Sequence, residues 1–161
     1  MIRHARPSDQ AAIYEVEAAA FGRPDEAELV QRLRADGDVI FELVAEADGE
    51  IAGHILFSRL WADRVELFAA LAPMAVRPDL QGRGVGSRLV RAGLEACREF
   101  GAHGVLVLGH LDYYPRFGFS HAAAAKVVSP YSASPAFMAL ALEEAAFDQP
   151  LTVAYPAAFE E

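Results

Sequence analysis

A single cysteine in 161 residues, Cys97, excludes an internal disulfide and any cysteine-rich metal cluster. It lies on a helical segment and is expected as a buried packing thiol, with no chemistry assigned to it. The five histidines show no metal-ligand spacing, so no metal is expected. Long apolar runs are missing too: none approaches the roughly 18 to 20 residues that a membrane span needs. Met1-Ile2-Arg3-His4-Ala5 has no apolar core of a secretion signal behind its charges, so a cytoplasmic protein is expected. Basic residues are few, 14 against 23 acidic ones, and the net charge of -9 argues against a nucleic-acid binder, which needs clustered Lys and Arg. The acidic balance favours cationic substrates. No repeat, low-complexity tract or linker divides the chain, and residues 1–161 are expected to form one domain.

What is present is patterned. Ile2 to Ala5 reads as a strand, and Pro7-Ser8-Asp9 starts a helix running to about Phe21 with Ile13, Val16, Ala20 and Phe21 on its apolar face. A second helix begins at Pro24-Asp25 and stops at Asp36-Gly37. The period then changes to two: Val39 to Ala47 and Ile51 to Leu60 read as strands joined by the tight turn Asp48-Gly49. A further strand is expected from about Val65 to Val76, and Pro73 inside it predicts a bulge or splay, because proline cannot donate to a ladder. Val85, Leu89, Ala92, Ala96 and Phe100 share one face of a helix ending at Gly101, and Val105 to Leu108 is a wholly apolar strand. Strand, helix and strand make a βαβ unit. Leu111 to Phe117 reads as a short helix, and Phe137 to Leu142 and Leu151 to Tyr155 as strands.

The most informative stretch is Gln81-Gly82-Arg83-Gly84-Val85-Gly86, between the Pro73 strand and the helix. Glycines let backbone approach a ligand closely, and a helix start offers unpaired N–H groups and the positive end of its dipole, so the turn suits a phosphate. It is not a P-loop, which needs Lys then Ser or Thr where this chain has Ser87-Arg88. The dinucleotide fingerprint fails as well, because its third glycine would fall on Ser87 or Leu89.

Val76 to Gly86 resembles the acyl-CoA-binding signature of the GNAT superfamily of N-acetyltransferases, a Gln or Arg followed by x-x-Gly-x-Gly or Ala. The block Tyr113-Tyr114-Pro115-Arg116-Phe117-Gly118-Phe119 resembles the segment after the fifth strand of those enzymes, with Tyr114 four positions before Gly-Phe. Together with Ala20-Phe21, Gly53-His54 and Tyr155-Pro156-x-x-Phe159, these blocks are similar to the YhbS-like bacterial N-acetyltransferases over nearly the whole chain. The resemblance implies a mixed α/β fold, with a central sheet of about seven strands splayed between the fourth and fifth and helices on both faces.

It also implies a site. Acetyl-CoA would lie in the splay, its pantetheine arm pairing with the backbone of Met74, Ala75 and Val76. Its pyrophosphate would take N–H bonds from Gly82, Arg83, Gly84, Val85, Gly86 and Ser87 after Gln81, with charge from Arg83 and Arg88. The Tyr114 hydroxyl would protonate the leaving sulfur, and an N–H near Val76 would polarise the thioester carbonyl. The position at which some members carry a glutamate base is Ala70 here, which leaves Glu66, roughly 13 Å farther along the strand, or Glu17 on the first helix, or a water relay. Relatives with an asparagine that contacts the cofactor are matched here by His110, Leu111 and Asp112. The expected acceptor is a primary amine of a small molecule or peptide, in a pocket built from the first two helices, the Trp61 to Arg64 loop and the C-terminal strands. A homodimer is left open. The alternatives are a non-catalytic acyl-CoA-binding module and, disfavoured by the glycine count, a nucleotide-dependent oxidoreductase.

Overall fold

A computed structural model describes residues 1–160. Strand β1 (Ile2–His4) leads through a 3-10 turn at Pro7–Asp9 into helices α1 (Gln10–Phe21) and α2 (Asp25–Ala35). Next come β2 (Val39–Ala47), β3 (Glu50–Arg59), the short β4 (Trp61–Ala62) and β5 (Phe68–Val76). Helix α3 (Val85–Phe100), β6 (Gly104–Leu108), β7 (Val127–Val128), β8 (Phe137–Ala141) and β9 (Leu151–Ala154) complete the order. The expected fourth and fifth strands are therefore β5 and β6.

Local chemistry accounts for most boundaries. Gly22 turns left-handed at φ 69° and returns its N–H to Ala18, which ends α1. Helix α2 opens with Asp25, Glu26 and Glu28 and closes with Arg32 and Arg34, complementing its dipole at both ends. Asp48 and Gly49 both have positive φ, 52° and 77°, and this primed turn fixes the β2–β3 hairpin register.

The main sheet has six strands in the order β1-β2-β3-β5-β6-β8, and β4-β9-β7 form a second sheet of three. The second sheet takes up what the sequence expectation put into a single sheet of about seven. In the main sheet only β5 and β6 run parallel among the described residues, and α3 makes their crossover. One face packs Ile55, Phe57, Leu71, Val105 and Val107 against Leu89, Val90 and Leu94 of α3. The opposite face is covered in two halves. Ile13, Val30 and Leu33 of α1 and α2 sit on Val44 and Leu56, whereas Val127, Leu151 and Val153 of the second sheet sit on Phe68, Ala70, Leu106 and Ala139.

Between those halves the sheet opens. Strand β5 pairs with β6 only from Phe68 to Leu71, while β3 accompanies it to Val76. The register slips by one at Ala72–Pro73, since Ile55 faces Met74 but Phe57 faces Leu71. The bulge falls at the proline, as its missing N–H predicts.

Candidate active site

The opening between β5 and β6 is the floor of a cleft of about 770 Å³ that passes from the α3 side of the sheet to the side of the second sheet. Its floor can be read group by group. Arg77 donates its N–H to Ala52 across the Val76–Gly53 pair, so by antiparallel alternation Val76 and Met74 turn their main-chain groups away from β3 into the gap. The Ala75 groups turn the other way, toward His54, so the expected backbone contact at Ala75 is not offered to the cleft. The Val76 carbonyl already accepts a hydrogen bond from Gln81 Nε2 at 2.9 Å, which leaves the Val76 N–H and both Met74 groups for a ligand. Gln81 thus acts as a clasp between strand and turn.

Gly82 and Gly84 have φ of 77° and 85°, the left-handed region where L side chains are strained, and Gly84 caps α3. Gly86 is needed for another reason: a Cβ there would lie 3.1 Å from the Tyr113 hydroxyl and 3.4 Å from the Met74 methyl carbon. Among the described residues, the N–H groups of residues 82–87 make no main-chain hydrogen bond. Arg83 and Arg88 stand exposed beside them without an ion pair among those residues, whereas Arg77 is held by Glu50 and Asp79. A row of free donors, a helix start and two exposed cations form an anion cradle.

Across the gap, the segment after β6 supplies aromatic rings. The helix expected over Leu111 to Phe117 forms only as a 3-10 turn at Tyr114–Phe117, because Pro115 supports a first turn but not a longer helix before it. The Tyr114 ring meets Tyr113 and Phe119 edge-on at 5.2 Å and 5.8 Å, and Gly109 admits it, since a Cβ there would be 2.5 Å from Cε2. Tyr114 is 6% exposed, lines the cleft, and finds no protein hydrogen-bond partner for its hydroxyl among the described residues. Burial, reinforced by Tyr113 and by the Glu17 charge, raises its phenol well above the ordinary value, so it stays protonated. Tyr113 instead shares a 3.2 Å contact with Ser87 Oγ, joining the aromatic segment to the cradle.

The carboxylates expected as bases are not on the cleft wall. The chain bends through residues 63–66, where Arg64 donates to the Ala146 carbonyl at 2.5 Å, and β5 begins only at Phe68. Glu66 therefore lies off the strand and lines a separate cavity of about 360 Å³ with Arg64, Phe68 and His103. Ala70, the position that the resemblance sets against a glutamate base, lines the cleft with a methyl group. Glu17 is 0% exposed and does not line the cleft. The Trp61 to Arg64 loop also misses the cleft, because β4 pairs with β9.

Glu17 belongs to a buried chain that the sequence reading did not assemble. Its Oε2 is 2.6 Å from His54 Nδ1, His54 Nε2 is 2.8 Å from Glu42 Oε1, and Arg34 grips Glu42 with bonds of 2.9 Å and 2.8 Å. Both ring nitrogens face carboxylate oxygens, so two bridging protons are required and the two carboxylates favour the charged imidazole. Burial alone would lower its pKa, but the two carboxylates raise it above the ordinary histidine value. Glu17 Oε1 has no partner, and burial pushes its carboxyl upward against the pull of His54. His54 and Glu42 are diagonal neighbours across the hairpin, since Val44 is the residue opposite His54. Glu17 comes from 37 residues before His54, a separation no local pattern reveals.

A split α/β sheet with an anion cradle at its gap is the architecture of a group-transfer enzyme that holds its donor across the sheet. The chain belongs to the acetyltransferase (GNAT) family, whose model matches residues 10–119, and is an N-acetyltransferase. It is 41% identical, over 91% of its length and 84% of the relative's, to the protein described as uncharacterized N-acetyltransferase YjhQ of Escherichia coli (strain K12). The crystal structure of Escherichia coli YhbS in complex with CoA superposes with a TM-score of 0.93 at 31% identity, covering 100% of this chain and 92% of that one. A GNAT family acetyltransferase from Brucella melitensis in complex with acetyl-CoA gives a TM-score of 0.81 at 38% identity, covering 99% and 97%.

Proposed function

We propose that this chain, as one domain, transfers the acetyl group of acetyl-CoA directly to a primary amine. The observation that carries the reading is the continuity of free main-chain donors from Met74 and Val76 at the gap into residues 82–87 at the cradle. A pantetheine arm has amides to pair with the first set, and a pyrophosphate has oxygens for the second. The CoA and acetyl-CoA complexes of the Escherichia coli and Brucella melitensis relatives support this use of the cleft.

In the reaction the amine nitrogen attacks the thioester carbonyl carbon, the carbon–sulfur bond breaks, and its electron pair leaves on sulfur. A main-chain N–H near Val76 polarises the carbonyl, and the protonated Tyr114 hydroxyl, free of other partners, donates to the sulfur. With Glu66 and Glu17 off the wall, the amine enters as its free base, and the proton its nitrogen sheds after attack passes to water in the cleft, through which Tyr114 regains the proton it gave to sulfur.

Thermal unfolding tests the donor. Acetyl-CoA at about 100 times its dissociation constant should add about 2.7 kcal/mol of stability, which is roughly 5–10 °C for a chain of this size. No shift with acetyl-CoA, together with a shift for NADH or ATP, refutes the reading. Tyr114→Phe should lower turnover while that thermal shift persists, and unchanged turnover removes Tyr114 from the mechanism. The non-catalytic acyl-CoA-binding reading draws on Ala70 standing where a carboxylate base would be, and it predicts the thermal shift with no CoA release for any amine.

A further inference from the structure

The cleft has a second arm, on the side of the sheet opposite α3, and its walls differ from the cradle in kind. They are Phe21 and Leu29 from α1 and α2 on one side, and Tyr131, Tyr155 and Phe159 from the C-terminal part of the chain on the other. Tyr155 stands edge-on to Tyr131 at 4.9 Å and to Phe159 at 5.4 Å, so three rings form one continuous wall. Phe21, a large aromatic on a helix, remains 42% exposed opposite them.

Charge is sparse in the lining of this arm. Glu26 is the one carboxylate lining the cleft among the described residues, and Arg23 takes both its oxygens, at 3.0 Å and 2.6 Å. A polycation such as a polyamine or an aminosugar needs several unpaired carboxylates to offset its desolvation, and among the described residues only Glu160, whose charge reaches Tyr131 from outside the lining, stands near this arm without an ion pair. A monoamine on a flat apolar body asks for the opposite: ring surface for the body, and low polarity that favours the neutral, nucleophilic amine over the ammonium. We infer that the acceptor is a small arylalkyl monoamine, its ring against Tyr131, Tyr155 and Phe159 and its nitrogen pointing toward the gap in the sheet.

The inference rests on the acetyl-transfer reading, and the test separates the two. CoA release from acetyl-CoA is measured with 2-phenylethylamine, tryptamine, spermidine and kanamycin, for the wild type and for Tyr131→Ala and Phe159→Ala. The expected kcat/KM for the two arylalkyl amines is at least about tenfold above that for the polycations, and each alanine variant loses about tenfold, mainly through KM. The acetyl-CoA thermal shift stays unchanged in both variants, which separates a lost acceptor wall from a damaged fold. Spermidine or kanamycin matching the aromatic amines, no aromatic amine being acetylated, or no loss in either variant overturns the acceptor class while the thermal shift keeps the donor site. Absence of that shift in the wild type overturns the donor reading itself.

Discussion

Replacing His54 by leucine isolates the energetics of the buried chain. His54 and Glu17 are both 0% exposed, and Glu17 Oε1 already lacks a partner, so His54→Leu strips the carboxyl of its remaining hydrogen bond and its counter-charge. Glu42 keeps its two bonds from Arg34, which confines the damage to Glu17. Breaking a buried ion pair by removing one partner typically costs about 3–5 kcal/mol, which for a chain of this size lowers the melting temperature by roughly 6–20 °C. The double variant Glu17→Leu/His54→Leu removes both partners and should recover about 2 kcal/mol or more of that loss, because no unpaired polar group is left at Glu17. Urea unfolding at pH 7 of wild type, both single variants and the double variant reads the four corners of the cycle. A His54→Leu loss below about 1 kcal/mol, or a double-variant loss equal to the sum of the singles, refutes the assignment of a charged, mutually dependent pair.

Acid should weaken the same chain from its outer end. Burial opposes the charge on Glu42, but hydrogen bonds from His54 and Arg34 bring its carboxyl down to about 2 from 4.5. A depressed pKa stabilises above the unfolded value, so this contribution is present above pH 4.5 and is lost as pH falls toward 2. Urea midpoints across that window should fall less steeply in Glu42→Gln than in wild type. Gly86→Val should weaken acetyl-CoA binding by about tenfold or more, because the new side chain intrudes between the Tyr113 hydroxyl and Met74; calorimetric titration showing equal affinity would remove Gly86 from the cradle. In Gly109→Ala the added methyl would stand 2.5 Å from the Tyr114 ring, so turnover should fall further than acetyl-CoA affinity, and equal losses in both would contradict a positional effect on Tyr114.

What could be read from the sequence was what lies contiguous in it. The turn from Gln81 to Gly86, the bulge at Pro73 and the 48–49 hairpin are each set by residues within a few positions, and each forms where expected. Strands β4 and β7, two residues apiece, exist only because β9 pairs with both, so no local periodicity announces them. Strict alternation predicts strand back through Glu66, but the bond from Arg64 to Ala146, 82 residues away, bends the chain before β5 begins. His54 alone in an apolar strand reads as a core histidine. Its meaning comes from Glu17 and Glu42, which helix α1 and the hairpin bring to its two nitrogens.

The gap between β5 and β6 has a consequence for what the protein can admit. Unpaired strand is a hazard at a sheet's perimeter, where another polypeptide can add itself to the ladder. Here the open ladder of Met74 and Val76 is internal, walled by β6 and by the aromatic segment after it. A second polypeptide would have to seat side chains from both faces of its backbone between those walls, whereas a thin chain of amides and methylenes asks only for the hydrogen bonds that Met74 and Val76 leave open.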